Sequence, residues 1–495
     1  MRPDPRLRDA FTAPVILGVL AGAVVLAGTV PLRAQEPLTL QQAVAMAQEH
    51  GLLARSAAAT RDAARYRDHA FYSLRLPQLS VGGTVPAYNR SIIPVLQPDG
   101  STVFRPQDQL SGDLTATLTQ SLPWTGGDLF FSSSLAEVSI SGQRTERTWS
   151  STPFSVGLRQ PLFRSNAARW DRREQPVRLE LAERQYREAR EDIALRTTNL
   201  FFDLYAARVQ LANASTNAAV NDTLYTLNKG RFEVGKIGEN DLLQSELALL
   251  RARNLADGAR LDYQRALSAL RLALGLPADA PLEIAVPADV PAFEADTTRA
   301  VAEALRNRAA VSDAELQQIQ TRRRVTEARL NGGPGATVQA SYGFNATGSE
   351  ASLAYRNLQE ARQFSLSVAI PLVQWGARSE NIQAAEADRD RAASDTRAAL
   401  EQTALDAHFA ALQLEQARRT LAISAKADTV AGRRFEVAYN RYVIGRIAID
   451  NLYIAQAEKD QALGQFVQAL RGYWVAHYAL RRVTLFDFEA GRAIR

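Results

Sequence analysis

The chain has 495 residues, no cysteine, 22% charged residues and a formal net charge of +5. The lack of cysteine excludes disulfides and cysteine-held metal, and so mild a charge does not imply nucleic acid as a partner. Long apolar runs are too few for a bundle of membrane-crossing helices, whereas alternating β-strands that cross an outer membrane stay compatible with this composition.

Residues 1–34 read as a cleavable secretory signal. Arg2, Arg6 and Arg8 precede a mainly apolar run from Val15 to Val30, and Leu32-Arg33-Ala34 sets a small residue before Gln35. Gly18, Gly22 and Gly28 interrupt the run, which is shorter than the roughly 20 apolar residues of a membrane-spanning helix. Its removal takes four arginines and two aspartates, lowering the formal charge from +5 to +3.

A first unit follows over residues 35–285. Thr39, with Gln42 three residues on, marks a helix start, and the apolar spacing predicts a helix over 39–76, stopped by Pro77. Period-two stretches within 78–163 predict strands, among them Leu79 to Val85, Leu114 to Leu122 and Phe154 to Leu162. A helical hairpin is expected over 166–275, long enough that no ordinary globular core would accommodate it. It reverses at Glu233 to Asn240, where Gly235 and Gly238 permit left-handed backbone.

A second unit, 286–485, repeats this plan: a helix over 298–330, strands within 336–373, a helical hairpin over 376–483 with its tip at Gly445, and a tail at 486–495. Arg231-Phe-Glu-Val-Gly-Lys-Ile-Gly-Glu-Asn-Asp-Leu242 returns 210 residues later as Arg441-Tyr-Val-Ile-Gly-Arg-Ile-Ala-Ile-Asp-Asn-Leu452. Gln160-Pro161-Leu-Phe and Ile370-Pro371-Leu-Val stand at the same offset, each closing a strand-like run, with Pro161 and Pro371 marking strand-to-helix junctions. The opening helices match at an offset of 258, so about 48 extra residues sit in the first strand region. They fall between Asn89 and Thr152, as an inserted hairpin at about 110–142. Either that hairpin reaches the same edge as the other strands, as the echo of Gln160 in Gln120-Ser-Leu-Pro123 suggests, or it is an outward two-stranded ribbon.

Together these features resemble the TolC-like outer membrane efflux proteins: the signal, the helix-strand-strand-hairpin plan, its duplication, and the Arg-Phe/Tyr-x-x-Gly tip followed by Asp/Asn-Leu. The resemblance covers nearly all of 38–485. It implies a mainly α fold with β, in which a long antiparallel α-helical barrel continues into a transmembrane β-barrel shared among protomers, with two structural repeats per chain. It also implies a homotrimer in the outer membrane, contacting its lipids and reaching into the periplasm, joined to a periplasmic adaptor and through it to an inner-membrane pump. Strand count points the same way, because an isolated pair cannot satisfy its edges in a bilayer. Four matched strands per chain give twelve in a trimer, and the inserted hairpin would raise that to eighteen.

By the same resemblance, Val234, Gly235 and Lys236 and their counterparts Ile444, Gly445 and Arg446 are the periplasmic tips that dock the adaptor, and Asp241 and Tyr442 belong to an entrance gate. Ile447 and Asn451 depart from the gate pattern, with Arg446 and Asp450 one residue away. Trp124, Trp149 and Trp375 are candidates for interfacial aromatic belts. Nothing in the sequence forms a catalytic, metal or cofactor constellation: His50, His69, His408 and His477 lie on expected helices without ligand spacing, and Asn331-Gly-Gly-Pro-Gly335 leads into a strand, not into the helix a phosphate loop needs. The expected function is a passive exit duct, and the alternative is a periplasmic coiled-coil adaptor or structural protein.

Overall fold

The computed structural model describes residues 37–141, 145–287, 290–291 and 293–494; the signal segment at 1–34 lies outside them. Helices and one large sheet share the described chain. Helix α1 (Leu40–His50) begins at Thr39, whose side chain accepts from the Gln42 amide while the Gln42 side chain accepts from the Thr39 amide. Where the sequence reads one opening helix there are two, because Gly51 is extended between α1 and α2 (Leu52–Ser73). A Cβ at Gly51 would stand 2.4 Å from the Ala47 carbonyl oxygen and 2.8 Å from that of Ala273, so the crossing admits only glycine. The second unit breaks alike, at Arg308 between α5 (Thr297–Asn307) and α6 (Ala309–Asn331).

Two helices of 67 residues, α3 (Ala167–Glu233) and α7 (Ala377–Val443), run the length of the helical region, about 100 Å each at 1.5 Å per residue. Helices α4 (Glu239–Leu274) and α8 (Ile449–Thr484), of 36 residues each, fold back along them. Packing places α3 between α4 and α8, and α8 against α7; nearer the sheet α3 lies between α2 and α6, with α6 against α7. The helical layer is therefore four helices wide throughout. Its left edge is α2 then α4, and its right edge is α7.

The main core lies where α1 and α5 cross these helices. Leu40, Phe201, Phe202, Leu270, Leu274, Tyr473 and Leu480 are fully enclosed there, among alanines such as Ala43, Ala300 and Ala407. Small residues let the helix backbones approach while the aromatics fill the remaining space. Arg323 on α6 holds three carboxylates, Asp171 (2.6 Å) and Glu174 (3.0 Å) on α3 and Glu327 (2.8 Å) on its own helix. Burial would raise the Glu174 carboxyl, but hydrogen bonds from Arg178 and Arg323 outweigh it and hold the group below the usual range.

Strands β2 (Gln78–Leu96), β3 (Thr102–Leu122), β4 (Gly127–Ser141), β5 (Thr145–Leu162), β7 (Gly335–Gly348) and β8 (Gln359–Ala369) form one antiparallel sheet in the order β2-β3-β4-β5-β7-β8. Short pairs complete the fold: β1 (Leu38–Thr39) runs parallel to β6 (Ile284–Ala285), and β9 (Phe486–Asp487) pairs with β10 (Arg492–Ala493). No described helix is long and apolar enough to cross a membrane.

His477 on α8 is buried against Phe293, Trp474 and Tyr478. Burial, reinforced by the Arg481 charge and only partly offset by Asp487, lowers its pKa to about 4. Between about pH 6.5 and 4 the unfolded chain binds a proton at this position that the folded chain refuses, so stability is present above that window and falls with pH through it. Acidification from pH 7 to pH 5 is expected to cost about 2 kcal/mol through this residue. His477→Phe should remove that part of the loss in thermal unfolding measured at the two pH values; an unchanged slope would show that the histidine is already accessible to protons.

Candidate functional site: the helical tips and the two-faced sheet

Both helical hairpins turn with one backbone geometry. At the first tip Gly235 has φ 72°, its amide donates to the Phe232 carbonyl (2.9 Å), and the Lys236 amide donates to the Arg231 carbonyl (2.8 Å). At the second, Gly445 has φ 72°, its amide donates to Tyr442 (2.9 Å), and the Arg446 amide donates to Arg441 (2.8 Å). This six-to-one and five-to-two pairing satisfies the last carbonyls of a helix and needs a residue that tolerates left-handed backbone. In consequence Val234 and Ile444, 68% and 64% exposed, stand at matching corners with Lys236 and Arg446 exposed beside them. Each tip thus presents an apolar side chain and a cation on a rigid turn.

The two tips are bound side by side. Tyr442 is buried and its hydroxyl donates to Asn228 Oδ1 (2.8 Å), Arg231 donates to the Val443 carbonyl (3.1 Å), and Gln244 donates to Asp450 (2.7 Å). Leu224, Tyr442, Ile449 and Leu452 form a small core beneath these links. The expected gate residues are not joined to each other: Tyr442 is engaged by Asn228 in its own chain, and Asp241 lies in the first turn of α4, at the left edge of the layer. Asn228, 214 positions from Tyr442, could not have been found from local pattern.

At the other end, register sorts the sheet into two faces. Leu79 and Val81 on β2 line up with Leu118 and Ala116 on β3, these with Phe131 and Ser133 on β4, and Phe131 with Val156 on β5. Val156 continues to Tyr342 on β7, and Ala340 beside it pairs with Phe364 on β8, followed by Leu366 and Val368. The opposite face carries Ser80, Thr115, Thr117, Thr119, Ser132, Ser134, Ser155, Ser341, Ser365 and Ser367. Phe130 is the main exception, lying over Gly157, where an added Cβ would come within 2.2 Å of its ring. On β3, β4 and β7 the mainly apolar alternation persists over nine residues, 114–122, 127–135 and 336–344, close to the 9–11 residues of a tilted strand that crosses a bilayer.

Pro161 pairs with Thr337 one residue before β5 ends, and Pro371 lies two residues beyond β8. Both precede residues with left-handed backbone, Phe163 (φ 61°) and Trp375 (φ 49°). Trp375 is 95% exposed, and Trp124 at the β3–β4 turn projects into solvent at the same end of the sheet.

Residues 107–276 match the model of a family described as outer membrane efflux protein. No curated protein matches the chain. Among solved structures, the Campylobacter jejuni CmeC outer membrane channel has a TM-score of 0.67 at 15% identity, over 92% of this chain and 87% of that one. The outer membrane protein VceC of Vibrio cholerae has a TM-score of 0.64 at 14% identity, over 92% and 97% respectively. The open state of the Neisseria gonorrhoeae MtrE outer membrane channel gives 0.62 at 14% identity, over 91% and 89%. At these identities the likeness is one of fold.

Tyr442→Phe removes the only donor that Asn228 Oδ1 has among the described residues, leaving a fully buried amide unpaired. The expected cost is about 1–3 kcal/mol, concentrated at the tip and read as faster amide exchange over 224–236 and 438–452 with little change in the α1–α5 core. Uniform loss of protection through the chain would contradict this local role.

Proposed function

We propose, from the premise that residues 107–276 belong to the outer membrane efflux protein family, that the chain is the exit duct of a tripartite efflux or secretion system, conducting substrates passively from a periplasmic assembly to the exterior. The observation that carries the reading is the six-stranded sheet with one apolar and one polar face, set on a helical layer about 100 Å long. Such a sheet suits lipid on one side and water on the other. Conduction of this kind asks for no catalytic residue.

The architecture we infer is a homotrimer with a shared β-barrel and a helical barrel below it, each chain contributing two repeats. The lengths support duplication: 67 and 67 residues for the outgoing helices, 36 and 36 for the returning ones. Open edges support closure through other copies. Helix α4 exposes Leu243, Leu247 and Leu250, and α7 exposes Leu405, Phe409 and Leu412, apolar ridges at three- and four-residue spacing on the two edges of the layer. A periplasmic coiled-coil adaptor, the competing reading, has no use for strands with a membrane-length apolar band.

The partner at the tips is a periplasmic adaptor, docked on Val234, Gly235 and Lys236 and on Ile444, Gly445 and Arg446, with the inner-membrane pump reached through it. We assign the entrance to Asp241, on the edge that meets the next copy, and to Tyr442, which anchors its own tip. Asp241→Ala is expected to raise single-channel conductance in planar bilayers; unchanged conductance would remove Asp241 from the gate. Light scattering of detergent-extracted protein from outer membranes should give a mass near three chains. A monomer, or recovery in the soluble periplasm, would refute the duct.

A further inference from the structure

We propose that the inserted hairpin β3–β4 is part of the membrane wall, so that the assembled barrel has eighteen strands and a bore that does not filter cargo at small-molecule size. This rests on the trimeric duct proposed above. The hairpin lies inside the sheet, between β2 and β5, and both of its long sides are hydrogen-bonded over most of their length. Its apolar residues Leu114, Leu118, Phe131 and Leu135 fall on the same face as Leu79, Val156, Leu158 and Leu366, with Ser133 the polar residue among them, and Thr115, Thr117, Thr119, Ser132 and Ser134 fall on the other. A ribbon standing clear of the bilayer would have no reason to continue the band in register.

Its turn is also fixed at the level of the other strand ends. Asn166, the cap of α3, donates to the Pro123 carbonyl (2.9 Å), Gln160 donates to Thr125 (3.0 Å), and Gln120 donates to the Arg75 carbonyl (2.9 Å). The hairpin therefore starts at the helix-proximal rim and rises through the full height of the band. An even count of six alternating strands leaves β2 and β8 at the two edges with opposite directions, so β2 of one copy meets β8 of the next as an antiparallel pair and no edge is left unpaired in lipid.

Width gives an independent argument. Four helices about 10 Å apart occupy about 40 Å. Six strands about 4.8 Å apart, tilted about 40°, occupy about 38 Å of circumference, whereas four would occupy only about 25 Å. With six strands the sheet meets the four-helix layer at nearly equal width, and the duct does not taper where the two join. Three copies then give a backbone radius of about 18 Å, and with side chains about 5 Å deep a clear bore about 26 Å across, against about 14 Å for twelve strands. The wider bore passes two formed helices side by side, each about 10–12 Å thick, where the narrower passes one.

The test uses single cysteines, for which the cysteine-free chain is suited. Leu118→Cys and Phe131→Cys on one face of the hairpin, Thr117→Cys and Ser132→Cys on the other, and Val156→Cys and Leu366→Cys as references are labelled with a nitrobenzoxadiazole fluorophore in proteoliposomes. Labels at 118 and 131 are expected to be quenched by nitroxide lipid as strongly as those at 156 and 366, and labels at 117 and 132 by aqueous iodide. Iodide quenching of all four hairpin sites, with 156 and 366 still in lipid, would overturn the eighteen-stranded barrel and leave the duct intact. Iodide quenching at 156 and 366 as well would overturn the duct itself. Should a labelled variant fail to assemble, polymer exclusion on the unmodified channel from its outer side decides: full access up to a radius of about 13 Å supports the proposal, and a cut-off near about 7 Å refutes it.

Discussion

Inside a bilayer no backbone amide or carbonyl can go without a partner, and the strand order β2-β3-β4-β5-β7-β8 leaves two rows of such groups open within one chain. In the duct proposed above, the need for further copies and the direction in which they join follow from this. The open sheet edges belong to β2 and β8, which lead from α2 and into α7, and α2 and α7 are also edges of the helical layer. Sheet and helices thus present the same left and right sides, and one seam can close both. A fold whose sheet and helical edges lay on different sides would need two incompatible partners.

The same constraint shapes the interior. Because β-strands turn alternate residues to opposite sides, an apolar band facing lipid leaves the other side free to be polar, and serine and threonine occupy it across all six strands. Phe130 departs from this, and its ring covers Gly157 on the adjoining strand, where a missing side chain would otherwise leave backbone exposed. No special recognition is required of such a wall. In the proposed duct, selectivity would belong to what delivers the cargo.

Much of this was legible in the sequence. The tips were, because a left-handed turn after a helix leaves its mark in one glycine, and Gly235 and Gly445 stand in near-identical surroundings. The capping pair Thr39 and Gln42 was equally plain, being only three residues apart. What escaped were features set by distant packing. Gly51 reads as an ordinary helix glycine until Ala273 approaches it from another helix. The distal parts of β2 and β3 contain Pro86, Pro94 and Pro106 and few alternating apolar residues, so they do not read as strands, although their ladder runs from Gln78 to Leu96. Whether the inserted hairpin stood in the sheet or beside it was undecided, because strand order is a property of the folded sheet and not of any local window.

The seam between the two hairpins shows how such long helices keep their alignment. Alanine-rich faces pack closely but offer few shapes that fix one helix against another. Along the lower part of α3, however, Asn213 and Asn217 both donate to Asp460 on α8, at 2.9 and 2.7 Å, and Asn228 accepts from Tyr442 on α7. Buried amides bonded to a carboxylate add little net stability compared with apolar packing, since each must first shed water. Their effect lies in the alternatives they forbid. A slide of one turn would leave Asn217 and Asn228 buried with no partner, at a cost of about 1–3 kcal/mol for each lost contact, while the alanines would pack almost as well as before. Register in this seam is therefore set by its few polar residues and closeness by its many small ones, and both are needed to hold the tips level at the end of helices about 100 Å long.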